Sequence, residues 1–403
     1  MRSRRSRKKR RKPVEKSRIL AGGTVAVGAR DAAGEPDYLI PLMAFVLTCI
    51  GLVMVFSASG DYSFLRYQDS AYFLKRGVLW LLISLVGMFA AWFIDYRALN
   101  RLAVPVLAAA VFLLALVLIP GVGHEANGAV RWLRFGMFNV HPGEISKLAL
   151  VIFLAAYTAE HRQSMREPAR LIVCAGALVL PALLILCQPD FGLVMLLVVV
   201  TLAMAAAGGA NLMHIACAGA AISPAAALLV WLNPARLQRI IGFLRPDADP
   251  GGNGFQILQS LIAIESGGMF GNGLGLSRQK FFIPEQHTDF IFSIFAEEFG
   301  FAGMLFLIAV YVLLAYRGFR VALECDNHFG MMLAFGISFA IAFQAFVNMG
   351  VAVNLLPVTG LTLPFVSFGG SSLMVCYVGI GLLMSVSTQN GRRRRMRRAG
   401  APA

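Results

Sequence analysis

FFIPEQHTDFIFSIFAEEFG, residues 281–300, carries a polar, proline-containing segment into a strongly apolar run, with Asp289 at the junction. An ionised carboxylate at the edge of an apolar helix is costly unless it is paired, caps the helix or acts on something outside it. Two readings stay open here: Asp289 as the N-cap of the following helix, where Asp is favoured, or Asp289 as a functional carboxylate. Glu285, His287 and Asp289 stand at i, i+2 and i+4, a spacing that admits a metal ion without being specific to one. Glu297 and Glu298 follow eight and nine residues after Asp289, ~12–14 Å further along a helix. That is too far to act with it on one atom, so they are expected to stabilise the bundle interior or line a cavity.

Outward from this stretch the chain is far more apolar than a soluble domain. Of its 403 residues, 58% are hydrophobic and 14% charged, and the mean hydropathy is +0.70; about a quarter charged is usual for soluble domains. The apolar surface must therefore face lipid, which makes this a polytopic membrane protein. The formal net charge of +15 does not indicate nucleic-acid binding, because no recognition module accompanies it. Twelve Lys/Arg lie within residues 1–37 and six within 392–398. Tails of this kind hold termini in the cytoplasm against anionic lipid, and both are expected to be disordered. Cys49, Cys174, Cys187, Cys217, Cys325 and Cys376 form no CxxC or Cys/His metal spacing; they read as small core hydrophobes without disulfides. The basic stretch before the first apolar run exceeds the n-region of a cleavable signal, so that run is expected to remain as an anchor.

A span needs about 20 mainly apolar residues. That rule predicts an all-α membrane protein with ten transmembrane helices near 38–57, 74–94, 102–120, 142–159, 170–187, 190–207, 211–231, 289–316, 329–353 and 366–388. The membrane domain is then 38–388, flanked by basic tails at 1–37 and 389–403, with a large outer loop at 232–288 between spans 7 and 8. With the N-terminus inside, the inner loops hold Arg97, Arg101, Arg162, Arg166, Arg170, Arg317 and Arg320. These join the tails on one side, as the positive-inside rule requires.

Four segments depart from lipid-friendly sequence. Residues 121–147 hold Arg131 and Arg134 around Trp132, then Glu144 and Lys147 three apart after Pro142. Pro142 suits a helix start, and the i, i+3 spacing puts both charges on one face, as a structural ion pair or as a cavity lining. Asp190 in Gln188–Gly192 is an N-cap or a partner for Lys147 or another cation across the cavity. Residues 232–288 carry Arg236, Arg239 and Arg245, a helical pattern at Ile257, Leu258, Leu261 and Ile262, and a Gly-rich run ending in Arg278 and Lys280. The helix reads as short and interfacial; the glycines read as a hinge or an anion cradle. Residues 348–372 contain Pro357, Gly360, Pro364, Gly369 and Gly370, which forbid one continuous helix, and Ser371 and Ser372 can cap the last span.

Together the outer segments set a carboxylate beside Arg131, Arg134, Lys147, Arg278 and Lys280. That combination suits an anionic substrate, a phosphate or pyrophosphate presented from lipid. Sugar transfer from such a carrier needs a base for the attacking hydroxyl, and a positioned carboxylate contributes roughly 10²–10⁴-fold; Asp289 is the best candidate.

The ordered pieces NGAVRWLRFG, HPGEISKLAL, QPDFG, GFQILQSLIAI, GNGLGLSRQKFFIPEQHTDFIF, AEEFGFAG and LLPVTGLTLPFVSFGGSS resemble the bacterial SEDS family of shape, elongation, division and sporulation proteins. The run through HTDF is most similar to its division and sporulation (FtsW-like) branch. The resemblance covers nearly the whole membrane region. It implies a ten-span peptidoglycan glycosyltransferase of the cytoplasmic membrane that polymerises lipid II, releases undecaprenyl pyrophosphate and acts in septal synthesis during cell division. It implies a class B penicillin-binding protein transpeptidase and other divisome proteins as partners. By the same resemblance Asp289 is the catalytic carboxylate. Glu144, Lys147, Arg131, Asp190, Arg278, Lys280 and His287 are the substrate-binding and cavity residues, and a divalent cation, Mg2+ or Mn2+, is a possible cofactor. Two positions depart from the family: Val130 stands where a basic residue is usual before Arg131, and Phe368 where a Tyr is usual. A lipid II flippase and a non-catalytic scaffold that activates its partner are the competing readings. A flippase needs a path open to both sides, whereas the polar residues here cluster on the outer half, and a scaffold leaves the Asp289 motif without a purpose.

Overall fold

The computed structural model describes residues 36–126, 129–136, 138–248, 252–284 and 286–398; residues 1–35 and 399–403 of the expected tails lie outside it. The elements begin α1 (Leu39–Tyr67), α2 (Tyr72–Phe93), α3 (Tyr96–Val117), β1 (Gly123–Ala126), β2 (Ala129–Phe135) and β3 (Phe138–Val140). Next come α4 (Pro142–Glu160), α5 (Pro168–Cys187), α6 (Phe191–Ala207), α7 (Leu212–Trp231), α8 (Pro234–Leu244) and α9 (Asn253–Gly267). The chain closes with α10 (Ile291–Leu323), α11 (His328–Ala352) and α12 (Gly370–Arg398). Each expected span is a helix. Among the described residues nine are long and apolar enough to cross a membrane, and the sixth span, α6, is apolar at 17 residues. α12 continues as helix to Arg398, where irregular chain is expected after 389.

Local chemistry sets the helix starts. Pro142 opens α4 with Glu144 in its first turn, where a fixed φ and a negative charge are both favoured. Asp190 caps α6 by accepting from Leu193 N at 3.1 Å, and Asn327 caps α11 through Phe329 N and Gly330 N. α4, α11 and α12 are the most buried spans, whereas α7 buries none of its apolar face. The cysteines are free: Cys174, Cys325 and Cys376 are buried, but Cys49, Cys187 and Cys217 are exposed rather than in the core.

The all-α expectation misses a three-stranded antiparallel sheet, β1-β2-β3, with His124 opposite Trp132 and Leu133 opposite Val140. Its sequence signal is the Asn127–Gly128 dipeptide between β1 and β2, a hairpin mark.

α9 forms where expected. Its buried side is Ile257, Ser260, Ala263 and Gly267, while Ile262 is exposed. Ser260 Oγ meets Ser293 Oγ at 2.5 Å and Ala352 O at 2.6 Å, so α9 packs on the first half of α10 and the end of α11. At its end the chain meets a break in α10, where Gly300 takes φ +68°. The groups freed by the break are re-paired with the loop after α9. Asn272 N donates to Glu297 O at 3.0 Å and Gly273 N to Glu298 O at 3.1 Å; Phe301 N donates to Gly268 O at 2.8 Å and Ala302 N to Met269 O at 3.1 Å. Irregular backbone at membrane depth needs such partners. The Asn272 and Gly273 amides of the Gly-rich loop are thus spent on α10.

Gly271 has φ +81°, and a Cβ there would overlap the Glu298 carbonyl. Gly271→Ala is expected to destabilise the purified protein by at least about 1–3 kcal/mol. Gly219→Ala, where an added Cβ meets nothing within 4 Å, should stay within about 0.5 kcal/mol. Thermal melting in detergent checks this; equal melting of the two variants would contradict it.

Candidate active site

The buried centre of the site is an ion pair one turn into α4. Lys147 Nζ lies 2.6 Å from Glu144 Oε2 and 2.6 Å from Gln344 Oε1 of α11. Gln344 Nε2 in turn donates to Thr362 O at 2.9 Å. The pair is thus joined to the irregular segment 353–369 that leads into α12. Ser371 does not serve as a cap of the last span. Its hydroxyl accepts from His141 N at 2.9 Å and donates to Asn139 O at 3.2 Å, tying α12 to the β3–α4 junction.

Beside this pair sits the turn 188–190. Arg131 Nε donates to Gln188 O at 2.8 Å and its Nη2 to Pro189 O at 2.6 Å, while Asp190 Oδ2 is 4.0 Å from Arg131 Nη1 and 3.7 Å from His141 Nε2. Asp190 is therefore both N-cap and ion-pair partner, and its cation is Arg131 rather than Lys147. Burial draws the His141 pKa below its usual value against the pull of Asp190 and Glu144. The Trp132 ring meets it edge-on, with centroids 5.1 Å apart.

Asp289 stands half-buried at the start of α10, but the N-cap position falls to Phe290, one residue later. Its carbonyl accepts from Asn348 Nδ2 at 2.9 Å. Its Oδ2 lies 3.8 Å from the place a Cβ would take at Gly360, which has φ +76°. The same segment packs on the 188–192 turn, since a Cβ at Gly192 would overlap the Thr359 carbonyl. Segment 353–369 thus touches Asp289, the Gln344–Lys147 link and the N-terminus of α6.

Three further expected site residues, Lys280, Arg278 and His287, have partners outside the Glu144–Lys147 pair. Lys280 Nζ pairs with Asp61 Oδ2 at 3.1 Å, beside Ser57 O and Gly275 O. Arg278 takes part through its backbone amide, which donates to Glu297 Oε1 at 2.9 Å. Glu297 also accepts from Gln279 N at 3.2 Å and from Ser277 Oγ, and Ser57 Oγ donates to Glu298 Oε1 at 2.5 Å. Glu297 thus ties the loop at 277–279 to α10, and Glu298 ties α1 to α10. The His287 ring lies among Tyr62, Phe73 and Phe368. Glu285, the third member of the spacing with His287 and Asp289, lies outside the described residues. Among the described residues no group of three or more His, Cys, Asp or Glu is placed to hold a metal ion.

The structure adds residues that sequence reasoning did not nominate. Gln344 and Asn348 are polar at i and i+4 inside an apolar span, a signal of function in itself. Arg239 on α8 is the other. Arg236, one turn earlier, lies over the Phe191 ring at 5.4 Å, which sets α8 above the start of α6. Burial and then Arg131 draw the Arg239 pKa below the usual arginine value, while Asp289 and Asp190 oppose them. Arg239 thus sits in the field of both aspartates.

Comparison with known proteins points the same way. The sequence profile of the cell cycle proteins FtsW, RodA and SpoVE matches residues 37–392. A probable peptidoglycan glycosyltransferase FtsW of Geobacter sp. (strain M18) is 41% identical over 361 residues, covering 88% of this chain and 97% of the relative. Stage V sporulation protein E of Bacillus subtilis (strain 168) is 41% identical over 355 residues, with 88% and 97% covered. Among solved structures, a chain from a peptidoglycan synthase complex that coordinates polymerization and crosslinking superposes with TM-score 0.74 at 31% identity, over 87% of this chain and 97% of that one. The rod shape determining protein RodA of Thermus thermophilus gives TM-score 0.65 at 30% identity, over 87% and 96%.

Removing one member of the buried ion pair leaves an uncompensated charge. Lys147→Met is expected to cost about 3–5 kcal/mol of stability, and adding Glu144→Gln to recover a large part of it. Melting of the single and double variants checks this; no recovery in the double variant would contradict it.

Proposed function

The chain belongs to the FtsW, RodA and SpoVE family of cell cycle proteins, and from that premise we infer that it is a peptidoglycan glycosyltransferase polymerising lipid II in septal wall synthesis. The observation that carries the site assignment is the Asp289 carboxylate beside Gly360, at the point where segment 353–369 meets the Glu144–Lys147–Gln344 chain. Asp289 is the base. It takes the proton from the attacking sugar hydroxyl as the new glycosidic bond forms, while the bond to undecaprenyl pyrophosphate breaks and the pyrophosphate leaves as an anion. That anion needs a cation. Arg131 is held by two carbonyls, Lys147 by Glu144 and Gln344, and Lys280 by Asp61. Arg239, in the field of Asp289, is the cation assigned to it.

The peptidoglycan synthase complex among the structural relatives supports a crosslinking partner, read as a class B penicillin-binding protein beside other divisome proteins. The basic tails and inner-loop arginines support cytoplasmic termini. That topology leaves Asp289 on the outer side, where lipid-linked wall precursors are joined.

Asp289→Asn is expected to abolish glycan strand formation from labelled lipid II by the purified protein with its partner, while melting and partner binding are retained. Arg239→Ala is expected to weaken turnover tenfold or more. Normal polymerisation by Asp289→Asn would remove Asp289 as the base; normal turnover by Arg239→Ala would return that arginine to a structural role.

A further inference from the structure

Three successive carbonyls lead into α10, and each is held from outside the helix. His287 O accepts from Phe368 N at 2.9 Å. Thr288 O accepts from Ser367 Oγ at 2.5 Å, and Asp289 O from Asn348 Nδ2 at 2.9 Å. Carbonyls ahead of a helix have no intrahelical donor, so they must find partners elsewhere. The partners chosen here are not independent. Asn348 Nδ2 also donates to Leu361 O at 2.8 Å, and Leu363 N donates to Ser367 Oγ at 2.8 Å. Asn348 is 2% exposed, and α11 is one of the most buried spans. One amide group and one hydroxyl therefore lock the His287–Asp289 backbone to segment 361–368, and through Asn348 to a rigid interior helix.

We propose that Asn348 and Ser367 are positioning residues for the glycosyl transfer, which clamp the backbone of Thr288 and Asp289 so that the Asp289 carboxylate is held at its place beside Gly360. They touch neither substrate nor reacting atoms; they act through Asp289, and the proposal rests on the reading of Asp289 as the base. The constraint is local. Gly360, which flanks the carboxylate, lies one residue before Leu361, which accepts from Asn348, so one side chain fixes both the backbone of the base and the turn that faces its carboxylate. A displacement of about 1 Å at a reacting group costs on the order of 10²-fold in rate, which sets the size of effect expected when a clamp bond is removed.

The test uses the full chain with its partner and labelled lipid II. Ser367→Ala and Asn348→Ala are each expected to lower kcat at least tenfold, with KM for lipid II within about twofold and with unchanged partner binding. Ser367→Thr keeps the hydroxyl and is expected to recover most of the loss. Ser367→Ala leaves the Asn348 bonds in place, so it decides the matter if Asn348→Ala does not fold. A kcat unchanged in Ser367→Ala, a loss confined to KM, or no recovery with Ser367→Thr would overturn the proposal. Activity retained by Asp289→Asn would instead overturn the assignment of the base, which separates failure of that reading from failure of the clamp.

Discussion

The architecture turns on a constraint of the bilayer: a backbone group released inside it must be paired by the protein. Gly300 breaks α10, and the carbonyls of Glu297 and Glu298 and the amides of Phe301 and Ala302 are taken by residues 268–273. This exchange anchors the outer loop at the level of the break, gives the Glu297 carboxylate the amides of Arg278 and Gln279, and leaves the half-helix 291–299 as a short rigid unit. Asp289 sits at the head of that unit. Position at one end follows from hydrogen bonding at the other.

The second organising feature is the way charges are allotted. Three cations around the site are engaged by structure: Arg131 holds the turn before α6, Lys147 bridges Glu144 and Gln344, and Lys280 pairs with Asp61 of α1. A buried charge left without a partner is strongly unfavourable, so these commitments are expected of a resting site.

Much of this was legible beforehand, and the limits have physical causes. The ten apolar runs predict the helices because length and hydropathy suffice for a span. The Glu144–Lys147 pair follows from helical spacing, and the capping role of Asp190 from residue type. The sheet is harder to foresee because its strands are short and its one local signal is the Asn127–Gly128 dipeptide. Lys280 and His287 were grouped with Asp289 by proximity in sequence, yet a loop that folds back on α1 and α2 carries their side chains to Asp61 and to Tyr62 and Phe73. Asn348 and Ser367 act through bonds to carbonyls 79 residues away or less, and no local pattern encodes such pairings. The basic N-terminal tail falls outside the described residues.

The central claim is that this fold joins sugars at its outer face rather than moving lipid across the membrane. The most direct measurement reconstitutes the protein with its partner in vesicles containing labelled lipid II and follows glycan strand length and transbilayer movement of the lipid in the same sample. The account predicts strands at a rate far above that of the Asp289→Asn protein, with lipid movement no faster than in protein-free vesicles. Rapid lipid movement without strand formation would contradict it.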